Sequence, residues 1–419
     1  MNKVPGALLL RLAGVLRFAA RAGAAALATV GLATVGLPGT PARPTTPTLA
    51  GSFVPGLIAR AGSSSTVMVL GTATCTGGGR HLCLGLWSAT VGRAGLVDRL
   101  TKLTAPPSTR PKFAGSTGLV GAVVFSNRLD GYAVEHSSSQ PTASTVFATT
   151  DGGRSWRRAE LGAGSVWSMV ATAHELYAVT AHCSGRDTRT TGITCDDYRL
   201  ARSTAGSASW RSVRIPGEAA NFGNGIGLGA EGDRVWLTYQ ALTAGAEPVL
   251  LTSVGGVAPF SSRSEPSLEG IGPCWLDATP GGALWAACPT GMMVSYLRSP
   301  DGGRHFSAYW DFAGTGGASV DPVSAQVAYR YTGIGRYKGD GYAAIPADEV
   351  QRTTDGGAEF SSVGHLPSNF GAGALLLFLN ETDGFALGSI VQRGGDVGVE
   401  VSALLETHDA GRTWTRVSF

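Results

Sequence analysis

The sequence predicts an all-β fold, a single β-propeller of seven blades with four antiparallel strands each, spanning 51–419. Three observations predict it. Beyond the N-terminal stretch, short apolar runs alternate with Gly, Ser, Thr and Pro, as expected of many short strands and turns; Gly numbers 61 of 419 residues and charged residues make up only 15%. An acidic, Gly-rich octapeptide ending in an aromatic recurs at a nearly constant step. A second motif recurs upstream of it in a fixed register.

The N-terminal segment 1–42 is set apart by charge. It holds Lys3, Arg11, Arg17 and Arg21 and no Asp or Glu, and is followed by the Ala/Gly-rich run Ala22 to Leu37. Basic, then apolar, then small and polar is the order of a secretory signal, and the run is short and weakly apolar for a bilayer span. The expectation is a signal peptide, with an uncleaved membrane anchor as the alternative, and a Pro/Thr-rich linker at 43–50. Setting the segment aside leaves 29 of the 33 Lys and Arg against 30 Asp and Glu. That balance offers no basic face for phosphates, so no nucleic-acid partner is expected.

Six cysteines fall into close pairs, Cys75/Cys83, Cys183/Cys195 and Cys274/Cys288. In an antiparallel hairpin, opposed residues share a constant index sum, and each pair centres on a polar or Gly-rich turn. Three cross-hairpin disulfides follow, each closing a short loop worth roughly 2–3 kcal/mol. The rival reading is metal ligation, but no CxxC or CxxH spacing occurs. The histidines are scattered without ligand spacing, so neither metal nor cofactor is expected.

The octapeptide occurs in four clear copies: Thr149 to Trp156, Ser299 to Phe306, Thr353 to Phe360 and Thr407 to Trp414. Decayed copies lie at Arg202 to Trp210 and Leu251 to Phe260, and a faint one at Trp87 to Ala94. Taking the first Ser or Thr of each gives positions 88, 149, 203, 252, 299, 353 and 407, a step suited to four-stranded propeller blades. The faintness of the first unit leaves six or eight blades open. The second motif, F-x-N-x-x-D-G-aromatic-A, stands at Phe125 to Ala133 and Phe378 to Ala386. Its Asn and Asp-Gly predict a tight turn between the two innermost strands, with Gly supplying positive φ.

Read physically, Asp151, Asp301, Asp355 and Asp409 accept hydrogen bonds from turn amides, Gly153, Gly303, Gly357 and Gly411 supply backbone freedom, and Trp156, Phe306, Phe360 and Trp414 fold back into the blade. Thr149, Ser299, Thr353 and Thr407 tie the hairpin closed. This pattern resembles the Asp-box, or BNR, repeat of sialidase-like propellers. Combined with the second motif, it looks like propellers related to photosystem II assembly factors. The resemblance covers nearly all of the chain after residue 50. It implies that the box joins the third and fourth strands, on the face opposite the loops that usually bind ligands, so the four aspartates are structural and no catalytic residue is named.

The resemblance does not carry an active site. Sialidases of this kind need an arginine triad whose first member sits in a Phe/Tyr-Arg-Ile-Pro motif before the first box. Here Val213-Arg214-Ile215-Pro216 follows the third box and reads as an outer strand. Gly227-Leu228-Gly229-Ala230-Glu231-Gly232 matches a dinucleotide fingerprint, but no helix follows; an inner strand crowded at the axis is the simpler reading. Two long loops, Cys183 to Tyr198 and Tyr329 to Ala344, suggest a binding surface, with Tyr329, Arg330, Tyr331, Arg336 and Tyr337 as partner contacts. The sequence thus points to an exported, monomeric, non-catalytic propeller that binds a protein or glycan, with no cofactor and no membrane contact beyond an uncleaved anchor. A sialidase-type glycoside hydrolase is the competing class, and fold alone does not decide between them.

Overall fold

The computed structural model describes residues 53–419 apart from 63–64, 75–81, 92–96, 104–118, 137–143, 162–163, 187–192, 217–225, 240–248, 258, 265–273, 291–292, 314–319, 333–335, 339–340, 344–348, 371–373 and 395–396. Residues 1–52, with the expected signal segment and linker, and Cys75 lie outside the described residues, as do the side chain of Cys83 and those of Arg336 and Tyr337.

Seven four-stranded antiparallel blades follow one another along the chain. Blade 1 is β1 (Phe53–Arg60), β2 (Thr66–Thr74), β3 (Leu82–Val91) and β4 (Val97–Leu103), and blade 2 is β5 (Leu119–Phe125), β6 (Gly131–His136), β7 (Ser144–Thr149) and β8 (Arg157–Ala159). Blade 3 is β9 (Ser165–Ala171), β10 (Glu175–Arg186), β11 (Ile193–Thr204) and β12 (Arg211–Arg214). Blade 4 is β13 (Ile226–Glu231), β14 (Arg234–Tyr239), β15 (Val249–Val254) and β16 (Ser261–Ser264). Blade 5 is β17 (Trp275–Ala278), β18 (Leu284–Thr290), β19 (Met293–Ser299) and β20 (Ser307–Ala313). Blade 6 is β21 (Val320–Pro322), β22 (Ala328–Thr332), β25 (Glu349–Thr353) and β26 (Ser361–His365), with a two-stranded hairpin, β23 (Arg336–Lys338) and β24 (Gly341–Ala343), inserted between its second and third strands. Blade 7 is β27 (Leu375–Phe378), β28 (Gly384–Gly394), β29 (Val397–Thr407) and β30 (Thr415–Arg416). The expected blade number and strand count are met.

Each strand alternates its side chains between two faces, so every blade is apolar on both sides and stacks on two neighbours. The core is accordingly a ring of clusters lying between blades rather than a single centre. Tyr132, Val134 and Val146 of blade 2 meet Val166 and Leu176 of blade 3. Val179 and Leu200 of blade 3 meet Leu228 and Leu237 of blade 4. The same holds between blades 4 and 5, 5 and 6, and 6 and 7. Blades 1 and 2 pack through Leu57, Met68 and Leu70 against Val123 and Phe125. Each fully buried large side chain contributes roughly 1.5–3 kcal/mol.

The ring closes without exchanging a strand. All four strands of blade 7 come from 375–416, and it meets blade 1 through side chains, with no shared backbone ladder. Phe385, Leu387 and Leu404 of blade 7 face Phe53, Val67 and Ala89 of blade 1. Phe419 lies 4.6 Å from the Phe53 ring and 5.8 Å from Trp87, centroid to centroid. The Arg60 guanidinium adds a hydrogen bond to the Phe378 carbonyl across the same seam.

Two readings are corrected by the register. Ser88 lies inside β3, opposite Met68 and Thr101, so it opens no hairpin; Thr90, opposite the first residue of β2, holds the position matching Thr149. In blade 4 the equivalent hydroxyl belongs to Ser253, buried at the end of β15, and not to Thr252. The index-sum argument for Cys75 and Cys83 meets a ladder that sets Cys83 opposite Ala73, and the pair itself lies outside the described residues. It holds for the other pairs: Cys183 is opposite Cys195, and Cys274 and Cys288 continue the β17–β18 ladder, both pairs forming disulfides.

Gly131 and Gly384 also serve differently from expectation. Neither has positive φ. A Cβ on Gly131 would lie 2.2 Å from the Phe125 ring, and one on Gly384 would lie 2.6 Å from the Phe378 ring. The motif needs Gly because its own Phe lies flat against the backbone. Gly131→Ala should therefore destabilise by about 1–3 kcal/mol through overpacking, and Phe53→Ala should cost about 3–5 kcal/mol by opening the seam. Urea unfolding of the oxidised protein measures both.

Candidate binding face

Antiparallel order places the first-to-second and third-to-fourth turns of every blade at one end of the ring. The remaining connections lie at the other end. At the first end the turns are short and alike: 126–130, 150–156, 379–383 and 408–414 are typical. At the other end the connections include 104–118, 240–248 and 333–348.

The octapeptides build the first end. Each opening hydroxyl is buried at the end of its third strand and makes two bonds. Thr149 Oγ1 donates to Asp151 Oδ1 at 2.8 Å and accepts the Gly153 N–H at 2.8 Å. Ser299, Thr353 and Thr407 repeat this with Asp301 and Gly303, Asp355 and Gly357, and Asp409 and Gly411. The carboxylate then gathers the far side of the turn: Asp151 accepts from the Ser155 N–H at 2.9 Å and its hydroxyl at 2.6 Å, and Asp409 does the same with Thr413. Gly152 and Gly153 sit at φ 73° and 84°, the left-handed region the turn requires. Trp156 returns to meet Phe125 edge-on, and Trp414 meets Phe378 likewise.

The two turns of a blade are bolted together. The Gly152 N–H donates to the Leu129 carbonyl, and Ala205, Gly255, Gly356 and Ala410 make the matching bond in blades 3, 4, 6 and 7. Blades are bolted to each other by the aromatic that opens the second strand. The Tyr132 hydroxyl donates to the Ser207 carbonyl in blade 3, Trp236 Nε1 to Gly302 in blade 5 at 2.9 Å, and the Tyr329 hydroxyl to Glu381 in blade 7 at 2.5 Å. The Arg202 guanidinium, paired with Glu175 at 2.6 Å, reaches the Gly255 carbonyl of blade 4. Where the Asp is missing, the buried hydroxyl finds a carbonyl: Ser203 donates to Ser209 at 2.9 Å and Ser253 to Val257 at 2.5 Å.

The aspartates are held ionised. Hydrogen bonds from the Ser155 hydroxyl and amide, with Thr149 and Arg154, bring Asp151 down to about 2. Burial works against the Asp301 carboxyl, but bonds from His305, Ser299 and the local amides outweigh it and leave it well below the ordinary carboxylate range. Asp355, held chiefly by Thr353, and Asp409, where Thr413 overcomes burial, are lowered too. Every carboxylate is engaged within its own turn.

The other end carries the covalent staples. Cys183–Cys195 bridges β10 and β11 where they approach the connection 187–192, and Cys274–Cys288 bridges β17 and β18 at the same end. The expected partner contacts divide here. Tyr329, Arg330 and Tyr331 lie in β22, and all are buried, at 0%, 1% and 0% exposure. They are corrected to interior residues: Tyr329 stacks on Phe378, and Arg330 lies 3.9 Å over the Phe360 ring and bonds Gln351, which in turn donates to Glu349. They belong to the inner ladder of blade 6, with Tyr329 opposite Asp321 and Arg330 opposite Val320. Arg336 and Tyr337 lie on the inserted hairpin, in β23.

Arg214 lies on β12, the outermost strand of blade 3, and is exposed, while Ile215 is buried. Gly227 and Gly229 lie on β13, an innermost strand, where a Cβ on Gly227 would fall 1.8 Å from the Cys274 carbonyl oxygen of blade 5. A cluster the motifs did not flag is Asp383, His408 and Glu406 in blade 7, visible in sequence only as the departure of THDAGRTW from its sister copies.

Two outcomes check this architecture. Thr407→Val should cost about 1–3 kcal/mol by leaving buried turn groups unpaired. Because the turn carboxylates are depressed in the fold, their stabilisation is present above the ordinary Asp value and is lost as pH falls from about 4 through about 2. The melting temperature of the wild type should fall more steeply across that window than that of Asp151→Asn.

No protein-family model and no curated protein matches the chain. Solved structures do. YCF48 bound to a D1 peptide is 16% identical, covering 86% of this chain and 95% of that one, with a TM-score of 0.48. An ulvan lyase of polysaccharide lyase family PL25 is 9% identical over 87% and 96%, with a TM-score of 0.51. A prolyl endopeptidase is 11% identical over 88% of this chain and 50% of its own, with a TM-score of 0.52. At such identities the likeness is one of fold, and it agrees with the blades described above.

Proposed function

We propose that the chain is an exported, monomeric, non-catalytic propeller that holds a protein or glycan partner on the end opposite the octapeptide turns. The observation that carries this reading is the asymmetry of the two ends. One end is built of short turns whose carboxylates are all engaged internally. The other bears the long connections and both described disulfides. Long loops on a stapled frame suit recognition, because the frame limits the ordering cost of binding.

Export is supported by two disulfides among the described residues, which persist in an oxidising compartment, and by the basic-apolar-polar order of the N-terminal segment. Arg336 and Tyr337 on the inserted hairpin remain the proposed contacts.

Residues 43–419, produced oxidised, would be cross-linked to the host's envelope fraction alongside the Arg336→Ala, Tyr337→Ala double variant and Asp151→Asn. One recurrent protein or glycan is expected, recovered severalfold less with the double variant and equally well with Asp151→Asn. Release of sugar products from a polysaccharide panel by the purified chain would overturn the non-catalytic reading. Recovery untouched by the double variant would remove the hairpin from it.

A further inference from the structure

The seam between blades 7 and 1 carries a feature absent from its sister turns. The residue before the buried hydroxyl is Ala148, Arg202, Arg298 or Arg352 in blades 2, 3, 5 and 6, but Glu406 in blade 7. The residue after it is Thr150, Pro300 or Thr354 in the other clear octapeptides, but His408 here. His408 Nδ1 stands 3.0 Å from Asp383 Oδ1, and its Nε2 stands 3.5 Å from Glu406 Oε2. The three side chains are 21%, 13% and 13% exposed.

Asp383 is fully engaged as an acceptor. Its other oxygen takes the Asn380 amide at 2.7 Å and the Thr382 hydroxyl at 3.3 Å. His408 Nδ1 is therefore the donor toward it, which fixes the ring's tautomer. In the neutral ring Nε2 then offers a lone pair to the Glu406 carboxylate. Both atoms are shut off from solvent and have no hydrogen-bond partner. Two acceptors facing each other in a dry site repel, and one added proton turns the contact attractive whichever of the two carries it.

Glu406 is placed where that sign matters. It stands opposite Phe385 on β28 and Thr415 on β30, on the face whose Phe385, Leu404 and Val417 pack on Phe53 and Val67 of blade 1. Other charged side chains at this end of blades 1, 6 and 7 are occupied elsewhere. Arg352 pairs with Glu381 at 2.5 Å, Arg412 donates to the Asp409 carbonyl at 3.3 Å, and Arg60 donates to the Phe378 carbonyl. Arg416 is opposite Leu405, on the other face of the blade, and Asp409 is engaged in its own turn. Among the described residues, His408 is the cation available to Glu406.

We propose that Asp383, His408 and Glu406 form a proton-linked latch on the ring-closing seam: a proton held between His408 and Glu406 keeps blades 7 and 1 together, and its loss loosens them. Burial pushes the Glu406 carboxyl above its ordinary value, with His408 opposing, which agrees in direction. A group whose affinity for protons is raised by folding adds stability that is full below its ordinary value and lost as pH rises through the raised one. The seam is thus tighter at the lower pH and looser at the higher. The octapeptide aspartates run the opposite way, at much lower pH.

Hydrogen exchange of the oxidised full chain at about pH 5 and about pH 8, expressed as protection factors, tests the latch. Segments 53–60 and 397–407 should lose protection severalfold at the higher pH, while 175–186 in blade 3 should not. Glu406→Gln, whose amide can donate to His408 Nε2 at any pH, should abolish the difference. The double variant Glu406→Arg, His408→Thr, which installs the residues blade 6 carries in Arg352 and Thr354, should also be flat and covers the case in which Glu406→Gln fails to fold. Equal loss in blade 3, a pH response that survives both variants, or a response that follows added zinc instead of pH would each overturn the proposal.

Discussion

The structure depends on a small constraint: in six of the seven blades a hydroxyl buried at the end of the third strand has to be bonded where water does not reach. Thr149, Ser203, Ser253, Ser299, Thr353 and Thr407 are all at 2% exposure or less. In four blades the solution is an aspartate two residues on, and the bond it accepts wraps the chain so that the aromatic five residues beyond the aspartate returns to the core. In blades 3 and 4 the aspartate is gone and the hydroxyl turns to a carbonyl instead. The turn survives loss of its acid because the demand comes from the buried donor, and any well-placed acceptor meets it.

From that anchored turn the assembly propagates in two directions. Inward, the turn's amide bonds the neighbouring turn of the same blade, so blades 2, 3, 4, 6 and 7 each have one rigid end. Sideways, Tyr132, Trp236 and Tyr329 use their apolar bodies to fill the gap between blades and their polar tips to bond the next blade. The same residues therefore serve packing and registration. The opposite end has no such repeated device among the described residues, and two cross-strand disulfides hold the hairpins that support its long connections.

Closing the ring through side chains puts weight on the interface between its first and last blades. Phe53, Trp87, Phe385 and Phe419 supply that seam, with no backbone ladder joining blade 7 to blade 1. It rests on a few side-chain contacts, and an ionisable pair placed beside them has leverage on it.

The sequence by itself determined the architecture, because the features that build a blade are local. A hydroxyl, an aspartate and two glycines in one octapeptide state their own turn, and their spacing counts the blades wherever the copies are intact. It failed where locality fails. Ser88 and Thr252 were displaced from the true turn positions because the faint copies lack the aspartate that fixes phase, and only the ladders to Met68 and to Trp236 decide it. Gly131 reads as a turn glycine, yet its need is set by a ring six residues earlier lying over it. Tyr329, Arg330 and Tyr331 look like a recognition loop in composition, yet they form a central strand, because Phe360 and Phe378 come from elements distant in sequence to cover them. Glu406 and His408 acquire meaning only when Asp383 is brought beside them by the neighbouring turn. Turn chemistry is written within a few residues; burial and proton sharing depend on which strands meet, and that is settled by the closed ring.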